Sequence, residues 1–359
     1  MRRLDLYVAT EFLGPFLVTA VGFVLLLITS TIFQLTDLLV VQRADPAVTF
    51  SLLALKVPAA LSIALPIAAL FGTLLSAGRL VRDGEMTVMR SAGLSVARIG
   101  LPVLLLGAAI SVLTYALNEY VVPQANHRYE IMLRRAVLAD PVPAISENVF
   151  FRGTPTHWFY VRRVDRSTRE LLDALVYELR PDSFPVIYTA RRGWYEGRTW
   201  HLEDVTMKRL DADGFVQVES SMKRYEMTLA EPTEAYLGSQ KSAEEMSRRE
   251  LGDEIRRLRK AGVVARSLWV EYHIKLSLPM AALVMTLLGL PLSLYGRRGG
   301  RAFGAAASLG LVLLYYVVFA LFRSLGNSGA VEPLAAAWMP NLLYLAAAAW
   351  LFLRAEWAE

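Results

Sequence analysis

The stretch Val81–Ser95, VRDGEMTVMRSAGLS, decides how the chain is read. It separates two long apolar runs. It is too charged for lipid, yet too rich in Met, Val and Ala for an ordinary solvated loop. Asp83 is a candidate N-cap, Glu85 then suits the positive end of a helix dipole, and Gly93 can end the helix. Arg82, Glu85, Met86, Met89 and Arg90 recur at i, i+3, i+4 spacing. The pattern predicts a two-faced helix of two to three turns within residues 82–93. A helix that short is not stable alone in water, so it must pack on something.

The runs on either side are long enough to cross about 30 Å of hydrocarbon. Six such segments stand in the 359 residues, at about Phe12–Val41, Val57–Ala77, Ile99–Val122, Leu268–Leu294, Phe303–Phe322 and Leu334–Leu353. Arg2 and Arg3 precede the first. Its apolar stretch is too long for a signal peptide and no small-x-small cleavage site follows closely, so it is expected to be retained. Arg79, Arg82, Arg90 and Arg98 flank the opening stretch, Arg297, Arg298 and Arg301 lie between spans 4 and 5, and Arg354 follows span 6. The other side carries Arg43, Lys56 and Arg323. By the positive-inside bias both termini and the opening stretch are cytoplasmic, and the long segment between spans 3 and 4 is outside. That bias also accounts for the net charge of +5 without nucleic acid.

The mean hydropathy of +0.38 fits this division into apolar spans and one polar insertion. Within the insertion, about residues 123–266, PQANHRYEIMLRRAVLAD continues span 3 as a helix and Pro141 and Pro143 stop it. NVFFRG, HWFYVRRV, LLDALVYEL, FPVIYTARRGWYEG, RTWHLEDVTMKRL and FVQVESSMKRYEMTL then read as strands, separated by turn signals such as RPDS, YEGR and DADG. A sandwich, a jelly roll or a half-closed version of one is expected. Such a domain is either a rigid spacer or a greasy-cored assembly that carries an acyl chain. In SAEEMSRRELGDEIRRLRKAG, Leu251, Ile255 and Leu258 form one stripe of a returning helix, with Gly262 placed to end it.

Catalytic patterns are missing from the sequence. It has no phosphate-binding G-x-x-x-x-G-K-[ST] loop, no H-E-x-x-H and no G-x-S-x-G elbow. There is no Cys, so no disulfide and no thiolate site. His127, His157, His201 and His273 lack ligand spacing, and no metal is expected. Polar residues in the spans carry more information. Gln34 and Asp37 share a face near the outer end of span 1, either at the headgroups or on the rim of a lipid cavity. Asn118 and Glu119 are expected at the interface. Gly304 with Ser308, and Ala306 with Gly310, form small-xxx-small pairs that predict close helix contact, within the chain or with a second subunit.

Taken in order, GEMTVMRSAGLS, LDLYVATEFLGPFL, LPIAALFGTLLSAGRL, RRELGDEIRRLRKAG, YHIKLSLPMAALVMTLLGLPLSL and AAAWMPNLLYLAAA resemble the LptF/LptG (YjgP/YjgQ) family of lipopolysaccharide-export permeases over nearly the whole chain. The resemblance implies an α-helical membrane protein with six transmembrane helices and an inserted extracytoplasmic all-β, jellyroll-like domain. Spans 1–3 would occupy residues 1–122, the periplasmic domain 123–266 and spans 4–6 residues 267–359. It implies a non-catalytic, multi-pass subunit of the bacterial inner membrane, paired with a paralogous permease subunit. A cytoplasmic ABC ATPase dimer would bind ATP and Mg, and lipid would pass to a periplasmic LptC/LptA-like bridge. Arg82, Glu85, Met86, Met89 and Arg90 would form the ATPase-contacting coupling helix, with Glu85 as its acidic contact. Where relatives carry a base near the outer end of span 1, Gln34 stands here, and Arg134 and Arg135 could substitute. The candidate lipid cavity is then Phe33, Gln34, Asp37, Phe319, Arg134 and Arg135, and the candidate subunit interface Gly304, Ser308 and Gly310. The competing reading is a membrane-anchored envelope scaffold or sensor that transports nothing.

Overall fold

The computed structural model describes residues 2–40, 46–137, 149–152, 157–165, 170–180, 183–196, 198–210, 216–229, 241–260, 265–295 and 300–357. Among them six helices are long and apolar enough to cross a membrane, matching the six predicted spans. Helix α1 is Arg2–Val40 and α2 is Pro46–Arg82. The short α3, Glu85–Ser91, leads to α4, Val96–Ala116. A π-helical turn, Leu117–Val121, passes without a break into α5, Val122–Val137, so span 3 does continue as a helix. After the strands come α6, Arg248–Lys260, then α7, Arg266–Tyr295, α8, Gly300–Ser328, and α9, Pro333–Trp357.

The chain divides into two compact units. One comprises Met1–Glu130, Glu244–Gly252 and Arg266–Glu359; the other comprises Ile131–Ala243 and Asp253–Ala265. In the first, α2 and α7 are the interior helices. Buried residues make up 72% and 67% of their apolar windows, against 11% for α1 and 17% for α8. Small residues allow this packing. A Cβ on Gly107 of α4 would collide with the Thr286 side chain of α7, and one on Gly289 of α7 would lie 2.9 Å from Thr73 of α2. Backbones approach this closely only where one partner lacks a side chain.

In the second unit every predicted strand is present: β1 Val149–Arg152, β2 His157–Asp165, β3 Glu170–Arg180, β4 Ser183–Glu196, β5 Thr199–Leu210 and β6 Val216–Thr228. They pair antiparallel in sequence order, β1 to β6, as one meander. The described strands therefore lack the crossover connections of a jelly roll. Phe159, Val161, Val176, Tyr188, Trp200 and Leu202 form the apolar core of this unit. Strict alternation would put every second residue on that face. In β3 the buried set steps from Leu171 to Ala174, and in β5 from Leu202 to Val205. Each step contains an aspartate with positive φ, Asp173 at 53° and Asp204 at 51°. Aspartate tolerates that conformation better than most residues, which lets the strand change phase without losing register.

Candidate functional site

The segment between α2 and α4 turns sharply at Gly84, whose φ of 75° belongs to the left-handed region. Gly84, not Asp83, therefore occupies the N-cap, and no side chain caps the helix there. The Asp83 amide instead donates to the Arg79 carbonyl at 2.9 Å, so Asp83 completes the end of α2. Arg82 is the last residue of α2 and not a member of α3. The docking-sized element is thus seven residues long, shorter than predicted.

Its C-terminus behaves as expected. Gly93 has φ 86°. Its amide donates to the Arg90 carbonyl at 2.9 Å, and the Leu94 amide to the Met89 carbonyl at 3.2 Å. This pair of bonds is a Schellman cap. Met86 is 5% exposed and packs with Leu80, Val81, Phe12 and Ile99, with Met89 and Leu94 at the edge of the same cluster. The opposite face carries Val88, 68% exposed. Part of α3 is therefore fixed to the bundle and part is presented outward.

Glu85 joins a network that the sequence did not reveal. The Tyr7 hydroxyl donates to Glu85 Oε2 at 2.7 Å and accepts from Arg79 Nη2 at 2.6 Å. Arg79 also pairs with Glu11 at 2.9 Å, Glu85 Oε1 at 3.5 Å and Asp83 at 3.6 Å. Arg98, in the first turn of α4, grips Asp5 with two bonds, at 2.7 and 3.0 Å. The start of α1 is thereby tied to α2, α3 and α4. Between α1 and α3 lies an open groove of about 330 Å³, lined by Leu4, Tyr7, Asp83, Gly84, Glu85, Val88 and Met89. The i, i+4 spacing of Tyr7 and Glu11 marks one helical face. Nothing in the sequence says that this face meets a residue 72 positions away.

The other expected sites resolve differently. Asn118 and Glu119, at the end of span 3, are buried inside the chain, 7% and 6% exposed. The Glu119 carboxylate accepts the backbone N–H of Arg248 at 2.9 Å and of Arg249 at 3.4 Å. Ser247 and Glu250 exchange the reciprocal bonds of a capping box, at 2.8 and 3.2 Å. Glu119 thus takes the two amides of the first turn of α6 that the box leaves open. Nearby, Arg323 of α8 binds Glu271 of α7 at 2.6 Å, and His127 meets Glu245 at 2.8 Å.

Gly304 faces α2 inside the chain. A Cβ on Gly304 would lie 3.7 Å from Leu74 and Leu75. Ser308 is fully buried, its hydroxyl donating to the Gly304 carbonyl at 2.7 Å. Gly304 itself is half-buried, and Gly310 is exposed, with open space before it. Phe33 is 74% exposed. Phe319 is half-buried and stacks on Tyr315, ring centroids 6.3 Å apart. The side chains of Gln34, Asp37, Arg134 and Arg135 lie outside the described residues, as does Gly262.

The helix count, the strand insertion between spans 3 and 4, and the short α3 coincide with a family match. The family described as lipopolysaccharide export system permease LptF/LptG matches residues 6–354. The chain belongs to this family. LptF of Escherichia coli K12, named a lipopolysaccharide export system permease protein, is 23% identical over 309 residues, covering 83% of this chain and 80% of the relative. LptG of Haemophilus influenzae is 23% identical over 305 residues, covering 84% of each chain. LptG of Escherichia coli K12 is 22% identical over the same length. Both kinds of LptF/LptG permease thus match along most of their length, and the chain is a multi-pass membrane permease of that family.

Proposed function

We propose that this chain is a transmembrane subunit of an ABC transporter that extracts lipopolysaccharide, or a related envelope lipid, from the inner membrane. In this reading it pairs with a paralogous permease subunit and hands the lipid to a periplasmic bridge. A separate cytoplasmic ATPase dimer binds ATP and Mg and supplies the energy. Both termini and α3 face the cytoplasm, in line with the arginine bias, and the sheet faces the periplasm.

One observation carries the proposal. Helix α3 is capped at its C-terminus, anchored by Met86, and still offers Val88 and a groove bearing Glu85. An element so short keeps its shape only by packing. Its apolar outer face beside carboxylates suits a protein partner with an apolar side chain next to a cation. The test is Glu85→Arg in the native complex. Reversing that charge is expected to abolish ATPase co-purification, or lipid-stimulated turnover, while the chain still inserts. Unchanged co-purification and turnover would refute docking through α3. Photocrosslinkers at Phe33 and Phe319 discriminate further: lipid adducts support transport, and their absence from an intact complex supports the scaffold reading.

A further inference from the structure

The sheet of the second unit bends along one line that crosses β2 to β6. On either side of that line the strands keep register: Val161 pairs with Ala174 and Arg163 with Leu172, Ala174 with Ala190 and Leu172 with Arg192. Ala190 then pairs with Val205 and Arg192 with Glu203, Val205 with Met222 and Glu203 with Arg224. Each ladder skips the residue in between. The skipped residues are Arg162, Asp173, Arg191, Asp204 and Lys223, one per strand. The two aspartates have positive φ, 53° and 51°. At this row a strand turns two neighbouring side chains outward. Arg191 and Arg192 are exposed between buried Ala190 and Gly193, and Glu203 and Asp204 stand between buried Leu202 and Val205.

Contacts across the row show how far the sheet bends. Phe159 of β2 is level with Val176, Tyr188 and Met207 on the next three strands. Trp200 lies beyond the row on β5, seven residues from Met207. In a flat sheet, at about 3.3 Å per residue and about 4.8 Å per strand, Phe159 and Trp200 would stand about 27 Å apart. Their ring centroids are 4.5 Å apart. Tyr188 is level with Ser220 of β6, five residues short of Tyr225. The same reckoning separates those tyrosines by about 19 Å, yet their rings stack at 5.0 Å.

We infer that the row Arg162, Asp173, Arg191, Asp204 and Lys223 is a crease built into the sheet, which turns its two halves face to face and sets how far apart they stand. The inference is independent of the transport reading. A left-handed residue breaks the pleat without inserting a residue, so the strand bends while its ladders stay in register. Aspartate takes that conformation at lower cost than a β-branched residue. With aspartates on β3 and β5, Arg191 of β4 lies between two carboxylates, and Arg162 and Lys223 stand outside them. Charge therefore alternates along the whole row. Arg162 is 4.0 Å from Asp173, and next to the row Arg224 holds Glu203 at 3.1 Å. Both arginines are exposed, so each pair contributes little by itself. Reversing Arg191 would instead set three carboxylates on adjacent strands, and like charges opposite one another destabilise a sheet. The crease gives a meander without crossover connections an inside, where Phe159 meets Trp200.

The test uses the full chain in lipid nanodiscs. It has no native cysteine, so spin labels at Phe184→Cys and Glu196→Cys, on β4 either side of Arg191, report without background. A straight strand would hold those positions about 40 Å apart, whereas the crease is expected to centre the distribution below about 30 Å. Asp173→Val with Asp204→Val should move it toward the straight value and broaden it, because valine resists positive φ. Asp173→Asn with Asp204→Asn should leave it in place, since asparagine tolerates that conformation. Arg191→Glu should broaden it, and adding the two Asn substitutions should narrow it again. A native distribution centred near the straight value overturns the crease, as does a Val pair that keeps the native distribution. If the Val pair unfolds the sheet, the other variants decide. An Asn pair that broadens the distribution, or an Arg191→Glu that leaves it narrow, overturns the inference.

Discussion

Replacing Glu119 by alanine removes the carboxylate that reaches the first turn of α6 from the π-helical turn between α4 and α5. Glu119 is 6% exposed and accepts the Arg248 amide at a normal 2.9 Å and the Arg249 amide at a marginal 3.4 Å. A hydrogen bond to a charged group contributes about 1.5–3 kcal/mol. One full and one weak bond therefore sum to about 2–4 kcal/mol of local stability. The Arg249 side-chain pair adds little, because that side chain is 80% exposed and its nitrogen stands 3.7 Å away. Loss of about 2 kcal/mol should speed exchange of the Arg248 and Arg249 amides about 30-fold, at 1.4 kcal/mol per decade. Glu119→Gln keeps an acceptor oxygen and should lose about half of that energy. Hydrogen exchange on the purified chain in nanodiscs reads both. Unchanged protection at Arg248 and Arg249 in Glu119→Ala, with the rest of α6 also unchanged, would refute the cap. Faster exchange spread evenly over every helix would refute its local character.

Three further outcomes follow from packing and charge. Gly107→Ala drives a methyl group into buried Thr286, whose hydroxyl is held by the Leu283 carbonyl at 2.7 Å. It should cost about 1–3 kcal/mol and lower the melting temperature, with an unshifted transition counting against close α4–α7 contact. Trp200→Ala empties a fully buried site beside Phe159, centroids 4.5 Å apart, and should cost the sheet about 3–5 kcal/mol, read as faster exchange of β4 and β5. Burial holds His157 below its ordinary pKa of 6.5, with Glu178 opposing the shift. The unfolded chain then takes up a proton before the folded one does. Stability from this group is intact above about 6.5 and declines as pH falls through that value toward the folded pKa. The wild-type minus His157→Gln difference in melting temperature should shrink on acidification, and a difference that is flat with pH would contradict it.

The spans and strands were legible because each signal is local. Twenty apolar residues or a run of alternating Val, Tyr and Phe carry their meaning within one element. Phase is less local: Asp173 and Asp204 turn their strands over, and no period-two count shows where. Helix α3 is legible in the sequence as a helix, but its start lies later than the sequence suggests. Asp83 has the chemistry of a cap, yet the turn after α2 needs positive φ at the next residue, and Gly84 supplies it. Hydropathy registers Glu119 as a carboxylate at a span's end, and cannot show the amides it caps on a helix 129 positions later. The small-xxx-small pair of Gly304 and Ser308 reads as a contact motif with its partner left open, because the motif gives closeness and not identity; Gly304 lies against α2 of the same chain. The Tyr7–Arg79–Glu85 network lay beyond sequence reading for the same reason.

The uneven burial of the helices sets where the sequence is free to drift. At Gly107 and Gly289 a single added carbon meets another helix, so substitution there needs a matching change across the contact. The outward positions of α1 and α8, such as Val18, Leu25, Leu313 and Val317, meet no such wall and need only remain soluble in lipid. Relatives at 23% identity should therefore spend their shared residues on α2, α7 and the turns that bracket α3. The faces of α1 and α8 should wander among apolar residues while keeping their length, and there the ancestry of the chain would be hardest to see.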